Sequence, residues 1–258
     1  MGIISGYPVG AKIIAKFRET NLCTKEEGER LLAFTNNSGP LFIVGTVGVS
    51  LIGSTAIGII LLITHIFASL TVGIIFRFWK RNKDILKKTY PSTIRRSADT
   101  KQHVNFSNLG EILSTSIMQS ISTIVMIGGF IMLFSIIISI LHNSQVLHLI
   151  NYSIYPILHL FNIPINFASG ITTGIIELTN GLKAITTIPI KELSKTIITC
   201  SFLLGFGGIS VLLQVLSIIS KTDISIKSYI LGKLLHACIA ALYTFLFFLC
   251  FPFFSLNI

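Results

Sequence analysis

Four short stretches of the chain carry groups that could hold a small molecule. Asn36, Asn37 and Ser38, followed by Gly39 and Pro40, interrupt an apolar run, so side-chain amides and freed backbone groups could face a ligand there. Ser5, Gly6, Pro8 and Gly10 interrupt a second run, with Lys12 just beyond. Ser169, Gly170 and Gly174 interrupt a third, followed by Glu177, Asn180 and Lys183. Gly207 and Gly208 break a fourth. The chemistry these suggest is reversible binding. No HExxH, P-loop, Gly-x-Ser-x-Gly or paired-carboxylate arrangement appears from which a catalytic centre, a metal site or a cofactor site could be built. With no nucleotide-binding motif, the energy source is expected to be an ion gradient or downhill flow.

Each group also has a plainer reading. Asn36, Asn37 and Ser38 could cap a turn between two half-helices. Lys12 could snorkel to an interface, and Glu177 could pair with Lys183. Ionisable groups at membrane depth nevertheless point to function by default. Glycines spaced Gly-x-x-x-Gly let helices pack closely. His65 and His236 are candidates for a proton relay or for packed, hydrogen-bonded helix residues, and Gln214 is similarly placed.

The elements that must position these groups are membrane spans. The 258 residues are 52% hydrophobic and only 12% charged, with a mean hydropathy of +0.80. A soluble domain needs roughly a quarter charged residues, and here the apolar residues form long runs. Segments 32–49, 52–76, 112–141, 196–219 and 229–254 are long enough to span, given that a crossing takes about 20 residues. Segments 1–17 and 169–190 are too broken, and read as re-entrant hairpins or broken helices. An all-α polytopic membrane protein follows, with about five spans and two re-entrant hairpins.

The net charge of +10 does not require nucleic acid. Between Arg77 and Lys101, nine basic residues against Asp84 and Asp99 leave +7, and a basic loop between spans is what a cytoplasmic loop carries. On that assignment 52–76 runs inward, 112–141 outward, 196–219 inward and 229–254 outward. Residues 18–30 are then cytoplasmic, and the connection 142–168, free of Lys, Arg, Asp and Glu, is an outer loop. Cys23, Cys200, Cys238 and Cys250 show neither a metal-binding nor a disulfide spacing.

On this topology the chain divides into a first half (1–76), a basic loop (77–111), a connecting span with an outer segment (112–168) and a second half (169–258). Each half reads hairpin, span, span, from opposite sides. Ser5-Gly6-x-x-x-Gly10 matches Ser169-Gly170-x-x-x-Gly174, the break at Thr35–Pro40 matches that at Leu204–Gly208, and His65 matches His236. Inverted repeats with interrupted segments in corresponding positions point to a transporter's midplane site. A complete repeat would place a further span before the first hairpin, and one is expected upstream of Met1.

Ser5-Gly6-Tyr7-Pro8-Val9-Gly10-Ala11-Lys12 and the stretch from Cys23 through Thr35-Asn36-Asn37-Ser38-Gly39-Pro40 to Phe42 resemble the YlbJ sporulation integral membrane proteins. Thr222-Asp223-Ile224, Lys227 and Leu234-Leu235-His236 look like that family too. These proteins belong to the nucleoside-recognition (Gate) domain group, which is similar to concentrative nucleoside transporters. The resemblance implies a protein of the outer forespore membrane, made in the mother cell, that moves dipicolinic acid during spore maturation. Nucleosides are not implied by the domain name alone.

The expected partners are therefore a small organic anion and the lipid bilayer, with a coupling cation or proton and self-association left open, and no nucleic acid. Half-helix N-termini at Gly6–Gly10 and Gly170–Gly174 could direct unpaired N–H groups at a dicarboxylate, with Pro8 in a first helical turn. Asn36, Asn37 and Ser38 would add neutral donors and Lys12 a full charge. Glu177 fits an anion poorly unless it takes a cation or proton. The rivals are a non-transporting membrane scaffold or signalling protein needed for spore cortex assembly, which would tolerate apolar residues at Asn36, Asn37 and Glu177, and a nucleoside transporter.

Overall fold

A computed structural model describes residues 2–79, 109–188 and 193–251. Most of the basic segment that sets the orientation lies outside them, as does Lys191. The described residues form helices throughout: α1 (Gly2–Ser5), α2 (Val9–Glu19), α3 (Lys25–Thr35), a π-helix (Leu41–Ile52), α4 (Thr55–Phe76), α5 (Leu109–Asn143), α6 (Val146–Leu160), α7 (Asn166–Ile176), α8 (Leu178–Thr186), α9 (Leu193–Phe206), α10 (Gly208–Ile219) and α11 (Ile226–Cys250).

Among the described residues, four helical stretches are long and apolar enough to cross a bilayer: Thr55–Phe76, Leu109–Asn143, Leu193–Ile219 and Ile226–Cys250. The first expected span, 32–49, is instead parts of two helices. Thr24 begins α3 with a capping box, its side chain accepting from Glu27 N–H while Glu27 accepts from Thr24 N–H. The helix stops at Asn36, and Pro40 starts a π-helix of 12 residues. Leu193–Ile219 is broken in the same manner at Gly207, whose φ of +85° a residue without Cβ adopts freely.

The two segments expected to form re-entrant hairpins or broken helices are each a pair of helices, α1 with α2 and α7 with α8. In the second, α7 and α8 lie side by side because Gly174 and Gly181 meet backbone to backbone. The turn falls at Glu177 rather than at Gly170–Gly174, which are inside α7. Gly170 packs on Ile185, and Gly174 on Leu203 and Gly181. The connection 142–168 is not an extended loop. Most of it is α6, which packs on α5 and α7 while exposing Leu149, Tyr152 and Leu160.

Lipid is as apolar as leucine, so close backbone approach rather than hydrophobic burial must hold such helices together. The small residues sit accordingly. Gly48 meets Gly58 between the π-helix and α4, Gly205 meets Ala237 between α9 and α11, and Gly232 meets Ala33 between α11 and α3. A Cβ on Gly181 would stand 2.0 Å from the Gly174 Cα. Gly181→Ala should therefore cost upwards of about 1–3 kcal/mol, the usual range for overpacking. Gly128→Ala on α5, which would meet nothing within 4 Å, should leave the melting temperature in detergent unchanged. Equal melting temperatures for the two variants would refute this packing.

Three connections meet at one end of the bundle. Arg18 Nε and Nη2 donate to Asp223 at 2.7 and 2.9 Å, Arg18 Nη1 donates to the Cys23 carbonyl, and Glu29 accepts from Ser225 N–H and from Trp79 Nε1. At the other end Ile52, Ile154, Ile163, Ile188 and Leu193 pack on the main apolar cluster. The guanidinium hydrogen bond and charge of Arg18 hold the Asp223 carboxyl below its ordinary value. A depressed carboxyl adds stability above its unfolded pKa of roughly 4 and loses it as pH falls through the lower folded value. The pair is substantially exposed, so Asp223→Asn should cost about 0–1 kcal/mol at pH 7. The difference from wild type should disappear below about pH 3. Thermal melting of the two proteins between pH 3 and 8 checks the sign.

Candidate functional site

The interrupted helices converge. A Cβ on Gly39 would stand 3.2 Å from the Gly6 Cα, so the first hairpin's break lies against the first span's break. Gly208, with φ +83°, lies against the Gly174 carbonyl and the Leu178 N–H, placing the second span's break on the second hairpin's turn. Tyr7 reaches the second span's break, since a Cβ on Gly207 would stand 2.8 Å from its hydroxyl. Between the breaks is a cavity of about 320 Å³. Ser5, Gly6 and Tyr7 form one wall, Ser38, Gly39, Leu41 and Phe42 a second, Glu177, Leu178 and Thr179 a third, and Val211 and Gln214 of α10 a fourth.

The remaining wall is α5, which contributes Ile127 and Ile131. Residues four apart share one helix face, and the same face carries Thr123 one step before and Ser135 one step after. Lys12 Nζ donates to Thr123 Oγ1, and Asn180 Nδ2 donates to Ser135 Oγ at 2.7 Å. The second arm of each hairpin is thus fastened to α5, at either end of the stripe that closes the cavity. Lys12 and Asn180 hold this wall in place and are absent from the lining. Pro8 precedes α2 at its N-cap, after a cis Tyr7–Pro8 peptide, and is buried. Gly10 packs against Asn36, while Ser169 is exposed on α7 and Gly170 packs on Ile185.

The three residues of the first break are buried, and two are fully engaged. Asn36 Oδ1 accepts from Ala11 N–H at 3.3 Å, and its Nδ2 donates to the Tyr229 hydroxyl at 3.0 Å. Asn37 Nδ2 donates to the Phe34 carbonyl at 2.6 Å and to Ser69 Oγ at 2.8 Å. Its Oδ1 accepts from Lys233 Nζ at 3.0 Å, and Lys233 also donates to the Tyr7 hydroxyl at 2.8 Å. Ser38 and Gly39 face the cavity.

Glu177 is not paired with Lys183, which is exposed in the last turn of α8. Its carboxylate caps α8, accepting from Thr179 N–H at 3.0 Å and Asn180 N–H at 2.8 Å. The half-helix N-terminus expected to meet an anion is thus occupied by the chain's own carboxylate. Gln214 stands opposite, buried, and its Oε1 has no hydrogen-bond partner among the described residues. His65 and His236 meet where α4 crosses α11, with ring centroids 4.4 Å apart and His236 Nε2 3.0 Å from the His65 carbonyl oxygen.

Lys233, Tyr7, Tyr229 and Ser69 escaped the sequence reading. Lys233 carried a signal, being a basic residue well inside a 25-residue apolar helix, where ionisable side chains are rare and functional. The tyrosines and the serine carried none, because their polar ends acquire meaning only through tertiary contacts.

Long apolar helices, with two helical runs interrupted beside a partly open cavity, make this a polytopic membrane protein. The sequence pattern of the nucleoside-recognition (Gate) family matches residues 124–254, and the chain belongs to that family. It is 36% identical over 253 residues to the "Sporulation integral membrane protein YlbJ" of Bacillus subtilis (strain 168). That alignment takes in 95% of this chain but 62% of the relative, so the chain spans less than two thirds of the protein it matches. No solved structure matches.

Proposed function

We propose that this chain forms a substrate-binding transport unit for a small organic anion, with dipicolinate, pyridine-2,6-dicarboxylate, as the candidate cargo. The observation that carries the reading is the convergence of both hairpin turns and both span breaks on one 320 Å³ cavity. That volume is at the small end of the range for ligand pockets, about 300–1,000 Å³, and suits a single-ring molecule. The halves 1–76 and 169–258 act as inverted copies that rock against each other around this cavity. Two features support the repeat. Gly6 against Gly39 in one half corresponds to the second hairpin's turn against Gly208 in the other. His65 touches its counterpart His236, as repeat mates do only near a two-fold axis.

The ligand contacts proposed are Ser5, Gly6, Tyr7, Ser38, Gly39, Thr179 and Gln214. The location proposed is the outer forespore membrane, with the 77–111 segment in the mother-cell cytoplasm. Uptake of labelled dipicolinate by liposomes containing the purified protein should be saturable and should resist competition by uridine. Competition by uridine would favour a nucleoside, and absence of uptake would overturn the reading. For orientation, Lys88→Cys should react with an impermeant maleimide from the cytoplasmic side alone.

A further inference from the structure

Lys233 is a buried basic side chain with no carboxylate partner among the described residues. It lies on α11, one layer behind the cavity wall at Tyr7. Its Nζ has two oxygen acceptors and two aromatic rings around it. Asn37 must present Oδ1 to it, because the other end of that amide faces the Phe34 carbonyl, which can only accept and therefore fixes Nδ2 there. The Tyr7 oxygen provides the second acceptor. The Nζ also stands 4.9 Å from the Tyr7 ring centroid and 5.7 Å from that of Tyr229, within cation–π range. Among the described residues no carboxylate lies within ion-pair distance. Glu177, the acid at the cavity, spends both oxygens on α8.

An ammonium removed from water without an opposite charge is costly, and the cavity lies on the far side of Tyr7, to which Lys233 donates. We infer that Lys233 is the specificity-determining residue of the cavity: its ammonium, held by Asn37 and relayed through Tyr7, selects an anionic ligand over an uncharged one of the same shape. This rests on the transport reading above but makes a separate claim, because the same cavity could move an uncharged ring without Lys233 setting its preference. It also moves the positive charge from Lys12, which is committed to Thr123 on α5.

The probes are pyridine-2,6-dicarboxylate and its uncharged isostere pyridine-2,6-dicarboxamide, tested by equilibrium binding and by liposome uptake. Wild-type protein should prefer the dicarboxylate at least tenfold. Lys233→Gln should abolish that preference while still binding the dicarboxamide, and Lys233→Arg should retain it. A Lys233→Gln protein that keeps the wild-type preference overturns the inference. So does wild-type protein that binds both probes equally, a result that needs no variant to fold and leaves transport itself standing. Wild-type protein that binds and moves neither overturns both readings.

Discussion

Asn37→Leu should abolish dicarboxylate uptake in liposomes while the protein still reaches the membrane at normal levels. The leucine has about the volume of the amide and can occupy its place, but it removes three polar contacts at once. Ser69 Oγ still reaches the Phe34 carbonyl at 2.7 Å, so that acceptor stays satisfied. Lys233 is affected differently, because it loses one of its two oxygen partners inside the protein. Leaving a buried donor without one of its acceptors typically costs about 1–3 kcal/mol. Much of that should appear as lost binding, since the ammonium is left to turn toward the cavity or to give up its proton. A loss of at least about 1.4 kcal/mol, or tenfold in uptake, is the minimum expected. Uptake within twofold of wild type would remove Asn37 from the site. Lys12→Met should do less. It releases the first hairpin from Thr123 without touching the cavity, so the effect should fall on the seating of α5, read as a lower melting temperature with binding retained.

Much of this arrangement was legible in the sequence because membrane physics leaves few choices. Long apolar runs must be helices, and polar interruptions in them must face protein or a cavity. The breaks at 36–40 and at Gly207–Gly208 therefore fell where expected. The second hairpin's turn did not. Gly170 and Gly174 resemble Gly6 and Gly10 in spacing, but they serve packing against Ile185 and Leu203. The turn instead comes at Glu177, whose side chain supplies the cap that a helix start needs. Spacing cannot distinguish a glycine that bends the chain from one that admits a neighbour. Likewise α6 carries no Lys, Arg, Asp or Glu and reads as a connection, because a short apolar helix needs no such residue to mark it. The role of α5 as the fifth cavity wall depends on which face turns inward, and only Ile127, Ile131 and their two flanking hydroxyls reveal it.

Glu177→Ala should tighten dicarboxylate binding and slow its transport. Helix N-termini attract anions through unpaired N–H groups and the aligned peptide dipoles. At α8 the Glu177 carboxylate already fills that role from within the chain, on the cavity wall. Truncation leaves the N–H groups of Thr179 and Asn180 free and removes one negative charge facing the ligand. Two unit charges 4 Å apart interact by about 4 kcal/mol at an effective dielectric of 20. A third of that would strengthen binding about tenfold, and the lost cap should cost the fold about 0.5–2 kcal/mol. An anion held at a freed helix end leaves slowly, so the initial uptake rate should fall although the equilibrium constant improves. Glu177→Gln, which keeps an acceptor for one N–H and loses the charge, should lie between the two proteins in both measurements. The competing role for Glu177 is to bind a coupling cation or proton. That role requires weaker dicarboxylate binding in Glu177→Ala and an uptake rate that no longer responds to the ion gradient. Equilibrium binding measured beside initial rates, with and without a pH or sodium gradient, separates the two roles. Weaker binding with lost gradient dependence would make Glu177 a coupling site and remove it as the internal counterpart of the ligand.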